Sequence, residues 1–295
     1  MAWLGSVNGG PKLLISGGRK VIDCGCRAPR MVRIVRCMSM SSLLMGCSNS
    51  LDGHHVTDIQ QLAVASDSAL PGMNAASILL FSGTGTSPND VAAIEAILKQ
   101  NHLVYVRVNS EHLDAMHPSQ MQAYRLLIVP GGNFVDMGNS LTADTTAKVH
   151  DAVTSGLNYL GICAGAFLAG SYPAPYKSFD LTAGVKFGFY SAEMNGVRKA
   201  SLRITTAEGP ALDQYWEDGP ELSGWGDAVA AYPDGKPAVA EGFAGNGWVI
   251  LTGIHAEAPD NWRRELLFST SASESNAYAM ILIDAALNRK RMPHL

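Results

Sequence analysis

No run of about 18 apolar residues occurs in the 295-residue chain, so no membrane-spanning helix is expected. Charged residues are scarce at 16%, and their balance of −4 argues against a dedicated nucleic-acid binder. Five cysteines are too few and too scattered for a disulfide scaffold. Internal repeats and low-complexity tracts are also missing. What the chain does have is apolar material, 47% of its residues. That is enough for a sizeable core, and it excludes a disordered or collagen-like polymer.

The average charge conceals a split. Residues 1–46 hold seven of the 22 basic residues and one of the 26 acidic ones, which leaves 15 against 25, or −10, for residues 47–295. Cys24, Cys26, Cys37 and Cys47 lie in or at the edge of this segment. From Met31 the chain reads MVRIVRCMSMSSLLMGC, with basic Arg33 and Arg36 followed by apolar or small residues up to Cys47. Leu44-Met45-Gly46-Cys47 resembles the bacterial lipobox, where a leucine, two small residues and a cysteine mark cleavage and lipidation. That resemblance implies a leader over 1–46, lipidation of Cys47, and an exported lipoprotein anchored at the membrane facing the periplasm. Without such processing the chain is expected to be cytoplasmic. Residues 47–75 then read as a tether, leaving one domain over 76–290.

From Ser77 onward, short apolar runs alternate with helical patterns, the mark of βαβ units around a parallel sheet. Ser77–Ser82, Leu103–Val108, Arg125–Pro130 and Leu157–Cys163 read as buried strands. Ser87 suits a helix N-cap, Pro88 the first helical position and Asp90 the first turn, with helix to about Gln100. Thr142–Thr154 and roughly Ser273–Asn288 are further helices. Lys199–Thr206, Ala228–Tyr232, Ala238–Phe243 and Trp248–Thr252 read as strands, with turns at Asp234-Gly235 and Gly245-Asn246-Gly247.

Three stretches carry chemistry. Gly161-Ile162-Cys163-Ala164-Gly165 stands where a strand meets a helix, the setting of a nucleophile elbow, whose tight turn needs small residues two before and two after the nucleophile. The same pentapeptide also suits simple packing. His255 and Glu257 leave a strand end two residues apart, so both face one side and Glu257 can hold one ring nitrogen of His255. A lone histidine there is more commonly a structural residue. Gly131 and Gly132 follow a strand at the same sheet edge, where their amides, with that of Ala164, could form an oxyanion hole. Taken alone, this stretch reads better as an ordinary glycine turn. Gly83-Thr84-Gly85-Thr86-Ser87 lacks the lysine of a P-loop and is expected to be a sharp turn lining the pocket. Trp216, Trp225, Trp248 and Trp262 are expected to pack in the core, some of them walling the site. No metal is expected, since Glu111, His112 and His117 lack metalloprotease spacing. No cofactor is expected either.

Together these stretches resemble the class I glutamine amidotransferase-like superfamily, in which a Gly-Gly loop precedes G-x-C-x-G and His-x-Glu follows about ninety residues later. Within it, the chain is most similar to the domain at the N-terminus of some biotin–protein ligases. SGTGTSPNDV at 82–91, LLIVPGGNFVDM at 126–137, YLGICAGAFLAGS at 159–171 and ILTGIHAEAP at 250–259 carry the resemblance. It implies an α/β fold, three-layer and doubly wound, with a mostly parallel sheet of flavodoxin-like type. It also implies Cys163 as nucleophile, His255 as base, Glu257 as orienting acid, and amides of Gly132 and Ala164 for the oxyanion. Ala256 stands where the pattern usually has proline. The Gly-Arg-rich loop of a biotin-adenylating region is not found, so ligation is not expected.

The resemblance implies a cysteine-dependent amide hydrolase acting on a small-molecule or peptide amide through a thioester. No nucleic acid is expected as a partner, and a membrane only through Cys47. Two alternatives are a non-catalytic binding module on the same fold and a cytoplasmic glutaminase subunit.

Overall fold

The computed structural model describes residues 76–191 and 195–295. The leader, Cys47 and the tether lie outside the described residues. Among those described, no helix is long and apolar enough to cross a membrane.

The elements run β1 (Ile78–Phe81), α1 (Pro88–Gln100), β2 (Tyr105–Val108), α2 (Ser110–Ala115), α3 (Pro118–Met121), β3 (Leu126–Val129), α4 (Phe134–Ser140), α5 (Ala143–Thr154), β4 (Asn158–Ile162) and α6 (Ala164–Ala169). They continue with β5 (Gly188–Phe189), β6 (Lys199–Thr206), β7 (Leu212–Glu217), β8 (Pro220–Glu221), β9 (Asp227–Ala231), β10 (Pro237–Ala244), β11 (Gly247–Thr252), α7 (Asp260–Arg263) and α8 (Ala272–Asn288).

Nine strands form one sheet in the order β2-β1-β3-β4-β11-β10-β9-β6-β7. The first five are mutually parallel and the remaining pairings are antiparallel. The parallel half is buried on both faces, which is why its strands are unbroken apolar runs rather than alternating ones. Each strand divides its residues between two cores. Ile78, Leu80, Ile128, Leu160 and Ile250 pack with Ile94, Ile97 and Leu282 of α1 and α8. Leu79, Phe81, Leu127, Val129, Tyr159 and Leu251 pack with Met137, Val149, Val153 and Phe167 of α4, α5 and α6. The result is the three-layer, doubly wound α/β fold, extended by an antiparallel half.

The helix boundaries follow from their caps. Ser87 accepts from the Asp90 amide with Pro88 directly behind it, and Thr142 accepts from Thr145. Ser271 and Glu274 close a capping box on α8. The strands read from the sequence over 199–252 are β6, β9, β10 and β11, with hairpin glycines Gly235 (φ 84°) and Gly245 (φ 57°). Strand β7, lying between β6 and β9, has no counterpart in the sequence reading. Its residues, LDQYWE, alternate too weakly to stand out.

The parallel register lines up the carboxyl ends of β1, β3, β4 and β11. Val129 and Leu251 both flank Gly161, and Thr252 pairs with Ile162. Open α/β sheets bind ligands at this edge. Two glycines make the β4–α6 junction possible. A Cβ on Gly165 would lie 2.0 Å from the Val129 carbonyl oxygen, and one on Gly161 would lie 2.6 Å from the Gly165 oxygen. Gly165→Ala is therefore expected to cost at least about 1–3 kcal/mol in urea unfolding, the scale of overpacking. Gly188→Ala, with nothing within 4 Å of the added carbon, should stay within about 0.5 kcal/mol. Equal stability of the two variants would contradict the packing described.

Candidate active site

Cys163 sits between β4 and α6 with φ 49° and ψ −103°. A side-chain-bearing residue in so sparsely populated a conformation costs about 1–3 kcal/mol and persists only where its surroundings enforce it. Here the enforcement is tight on both sides: the Cys163 amide donates to Thr252 of β11 (2.8 Å), and its carbonyl accepts from Ala166 and Phe167 (3.0 and 3.1 Å). The side chain is 5% exposed and borders a cavity of about 490 Å³. Its thiol donates to the Glu217 carbonyl oxygen at the end of β7 (3.5 Å).

His255 borders the same cavity. Its amide donates to the Tyr215 carbonyl of β7 (2.8 Å), anchoring the segment after β11 to the antiparallel half of the sheet. The rings of Tyr215 and Trp262 meet the imidazole edge-on at centroid distances of 5.9 and 6.0 Å. Glu257, buried two residues on, lies with Oε1 2.8 Å from His255 Nδ1. The other core tryptophans stand apart from the ring; Trp216, for example, is fully buried and donates to the Gly219 carbonyl.

Asp90 was legible only as a first-turn acid of α1, yet its carboxyl reaches the same ring. Its Oδ1 lies 3.1 Å from His255 Nδ1, without the alignment of a hydrogen bond, and the residue is 6% exposed. Gly131 leaves the room for this approach, since a Cβ there would stand 2.2 Å from Asp90 Oδ1 and 2.7 Å from His255 Cε1. Gly131 thus serves the imidazole by its lack of a side chain.

Gly132 (φ 145°) forms an isolated antiparallel bridge with Thr86. The bridge is closed by Asn133 N–H to the Gly85 oxygen (2.8 Å) and Ser87 N–H to the Gly131 oxygen (3.0 Å). In such a pair the central residue's own N–H points away from its partner. Gly132 and Ala164 both border the cavity, and Ala164 heads α6, where the first amides have no intrahelical acceptor. Of the Gly83–Ser87 turn, Ser87 reaches this cavity, whereas Gly83, Thr84 and Gly85 border a separate surface cleft. Phe134 stacks on Phe167 (4.8 Å) and Phe189 lies 5.0 Å from Phe167, making an apolar wall. Charged residues also line the cavity, with Arg198 paired to Asp218 beside Glu217. Tyr215 and Glu217 also escaped the sequence reading, because β7 did; the Tyr215 hydroxyl donates to Glu217 Oε2 at 2.5 Å.

The electrostatics follow from burial and neighbours. Burial alone would push His255 down, but Glu257, Cys163 and Asp90 outweigh it and hold the imidazole well above its ordinary 6.5. Burial would raise Asp90, yet the charge and contact of His255 leave it below 3.8. Burial dominates at Glu257, which stays above 4.5 despite His255. The donor atoms of Asp90, His255 and Glu257 lie within 4.8 Å of one another, close enough for a metal. The Glu257–Nδ1 contact itself has the length of a hydrogen bond. His112 and His117 spend Nδ1 on capping their short helices.

The site is thus that of an α/β protein with a cysteine on a strained strand-to-helix elbow and a carboxylate-held histidine at the same sheet edge. A family profile described as "Biotin-protein ligase, N terminal" matches residues 76–216. An uncharacterized protein of Chlamydia muridarum (strain MoPn / Nigg) is 31% identical over 214 residues, spanning 63% of this chain and 82% of that protein. Residues 76–216 thus carry the sequence pattern of the biotin–protein ligase N-terminal domain family. Among solved structures, the exo-beta-1,4-mannosidase Op5Man5 from Opitutaceae bacterium strain TAV5 is similar at TM-score 0.47 and 15% identity. That likeness spans 72% of this chain but only 36% of the mannosidase. A candidate GMP synthase subunit from Thermoplasma acidophilum is similar at TM-score 0.44 and 12% identity, over 74% of this chain and 98% of that one. Both likenesses are loose, and neither bears on the chemistry of this chain.

The ring's raised value gives a sign for stability. An ionised His255 stabilises the fold fully below the unfolded value near 6.5, and the contribution is lost as pH rises through the folded value. Glu257, also raised, acts in the same direction; Asp90, depressed, contributes above 3.8 and loses that contribution as pH falls through its folded value. Urea unfolding of the intact protein should therefore show stability falling as pH rises above 6.5. A flat or rising profile would contradict a buried, ionised imidazole.

Proposed function

We propose that the protein is a cysteine-dependent amide hydrolase of the class I glutamine amidotransferase-like type. One observation carries the reading: His255 commits Nδ1 to Glu257, leaving Nε2 as its free ring nitrogen, and shares a cavity with Cys163. In this mechanism the thiol proton already rests on His255 Nε2, as a thiolate–imidazolium pair, and Sγ attacks the amide carbonyl carbon. The carbonyl oxygen gains negative charge, which the amides of Gly132 and Ala164 stabilise; such donors are typically worth about 10²–10³ in rate each. His255 then gives the proton to the departing nitrogen, the C–N bond breaks and a thioester remains. Water attacks the thioester, losing its proton to His255, and the acid leaves as the C–S bond breaks, which restores the thiolate beside the imidazolium.

The cavity suits a compact amide, with a face against the phenylalanine wall and polar groups toward Arg198, Glu217 and Asp218. We further propose export with lipidation at Cys47, on the lipobox-like LMGC. Mass measurement of the mature protein from a bacterial host should find Cys47 as a lipidated N-terminus; an intact 1–46 segment in membrane-free extract would refute it.

The chemistry is tested by iodoacetamide labelling read at the Cys163 peptide. Labelling should outpace free cysteine at neutral pH, and His255→Ala should slow it by about tenfold or more. Hydrolysis of a panel of glutamine-type and peptide amides should vanish in Cys163→Ser. Slow labelling that ignores His255→Ala, with no hydrolysis, would make the protein a binding module on this fold.

A further inference from the structure

His255 is approached at one nitrogen by two carboxyl groups from different elements, Glu257 from its own segment and Asp90 from α1. We propose that the two act on the ring in different ways. Glu257 orients it as hydrogen-bond acceptor, while Asp90 is a second positioning residue that supplies the counter-charge to the imidazolium. This deepens the amidase reading and rests on it, since the division matters to chemistry only if His255 serves Cys163.

The surroundings of the two groups argue for the division. Glu257 turns its back on hydrocarbon: a void of about 10 Å³ beside it is lined by Ile94, Leu160, Ile162 and Leu282. A full charge there is poorly solvated. Asp90 instead borders two cavities, the first of about 490 Å³ and a second, mostly polar one of about 480 Å³ that also includes Tyr215, Trp262 and Arg264. Its Oδ1 is buried and makes no aligned hydrogen bond, an expensive position for a carboxylate oxygen unless a cation stands beside it. The imidazole is that cation, 3.1 Å away. Gly131 keeps the gap open, since any side chain there would intrude between the two.

The other groups facing the ring do not replace Asp90. Cys163 approaches from the elbow, and Tyr215 from β7 spends its hydroxyl on Glu217. Trp262 of α7 offers only its ring. Lys199, Arg264 and Glu265 lie along the second cavity, with Lys199 paired to Glu265 (3.4 Å). The directions of titration agree with the division, Asp90 lying below the usual carboxylate value and Glu257 above it.

NMR titration of the full chain tests this without requiring activity. With ¹⁵N-histidine, the His255 midpoint, assigned by loss of its signal in His255→Gln, should fall by about one to three pH units in Asp90→Asn. It should fall less in Glu257→Gln, whose ring signals should instead report a changed tautomer. An unchanged midpoint in Asp90→Asn overturns the proposal. Should that variant not fold, carboxyl ¹³C titration of the unmodified protein decides: Asp90 should protonate at lower pH than Glu257, and the reverse order overturns the proposal. These outcomes are separate from failure of the amidase reading, which shows as Cys163 labelling indifferent to His255→Ala while the ring still titrates high.

Discussion

The contact on which the site depends is backbone against backbone. The first turn of α6 is pressed onto β3 so closely that Gly165 touches the Val129 carbonyl, while Gly161 in β4 touches Gly165 in turn. Only residues without a Cβ permit it. Helix α6 must then start directly after β4, and the one residue between them takes up the whole change of direction. Cys163 is that residue, and its unusual backbone angles are the consequence. The sulfur at the carboxyl edge of the sheet and the amide of Ala164 beside it follow from the same turn, as does the wall built from Phe167.

Around this elbow the fold concentrates polar groups that would be costly anywhere else in the interior. Asp90, His255 and Glu257 are all buried, and they come from the start of α1 and the segment after β11. Each is tolerable because of the others: the imidazole offsets the carboxylates, and the carboxylates keep the imidazole charged in spite of its burial. The glycines at 131 and 132 act by omission. The first leaves room for the ring and Asp90 to approach, and the second lets the β3 loop fold against Gly85.

Much of this was legible in the sequence because it depends on local patterns. Buried parallel strands are apolar runs, and the Ser87-Pro88 cap and the hairpin glycines have local causes. The G-x-C-x-G and His-x-Glu spacings likewise place their residues at strand ends by short-range geometry. Two parts were not legible. Asp90 looked like any first-turn helix acid, and nothing within ten residues of it hints at an imidazole from the far end of the domain. Strand β7 carries Gln214 and Glu217 among its apolar residues, and its burial pattern is set by long-range pairing with β6 rather than by alternation. Tyr215 and Glu217 were lost with it.

That strand has a consequence for how the family is delimited. The similarity to the ligase-type profile stops at Trp216, inside β7. On one side of this boundary the Tyr215 carbonyl holds the histidine segment, and on the other the Glu217 carbonyl receives the thiol. A fragment trimmed to the shared region would keep the sulfur, discard the imidazole and sever the strand that tethers both. The profile thus takes in the elbow at Cys163, whereas His255 and Glu257 come from the part of the chain beyond it.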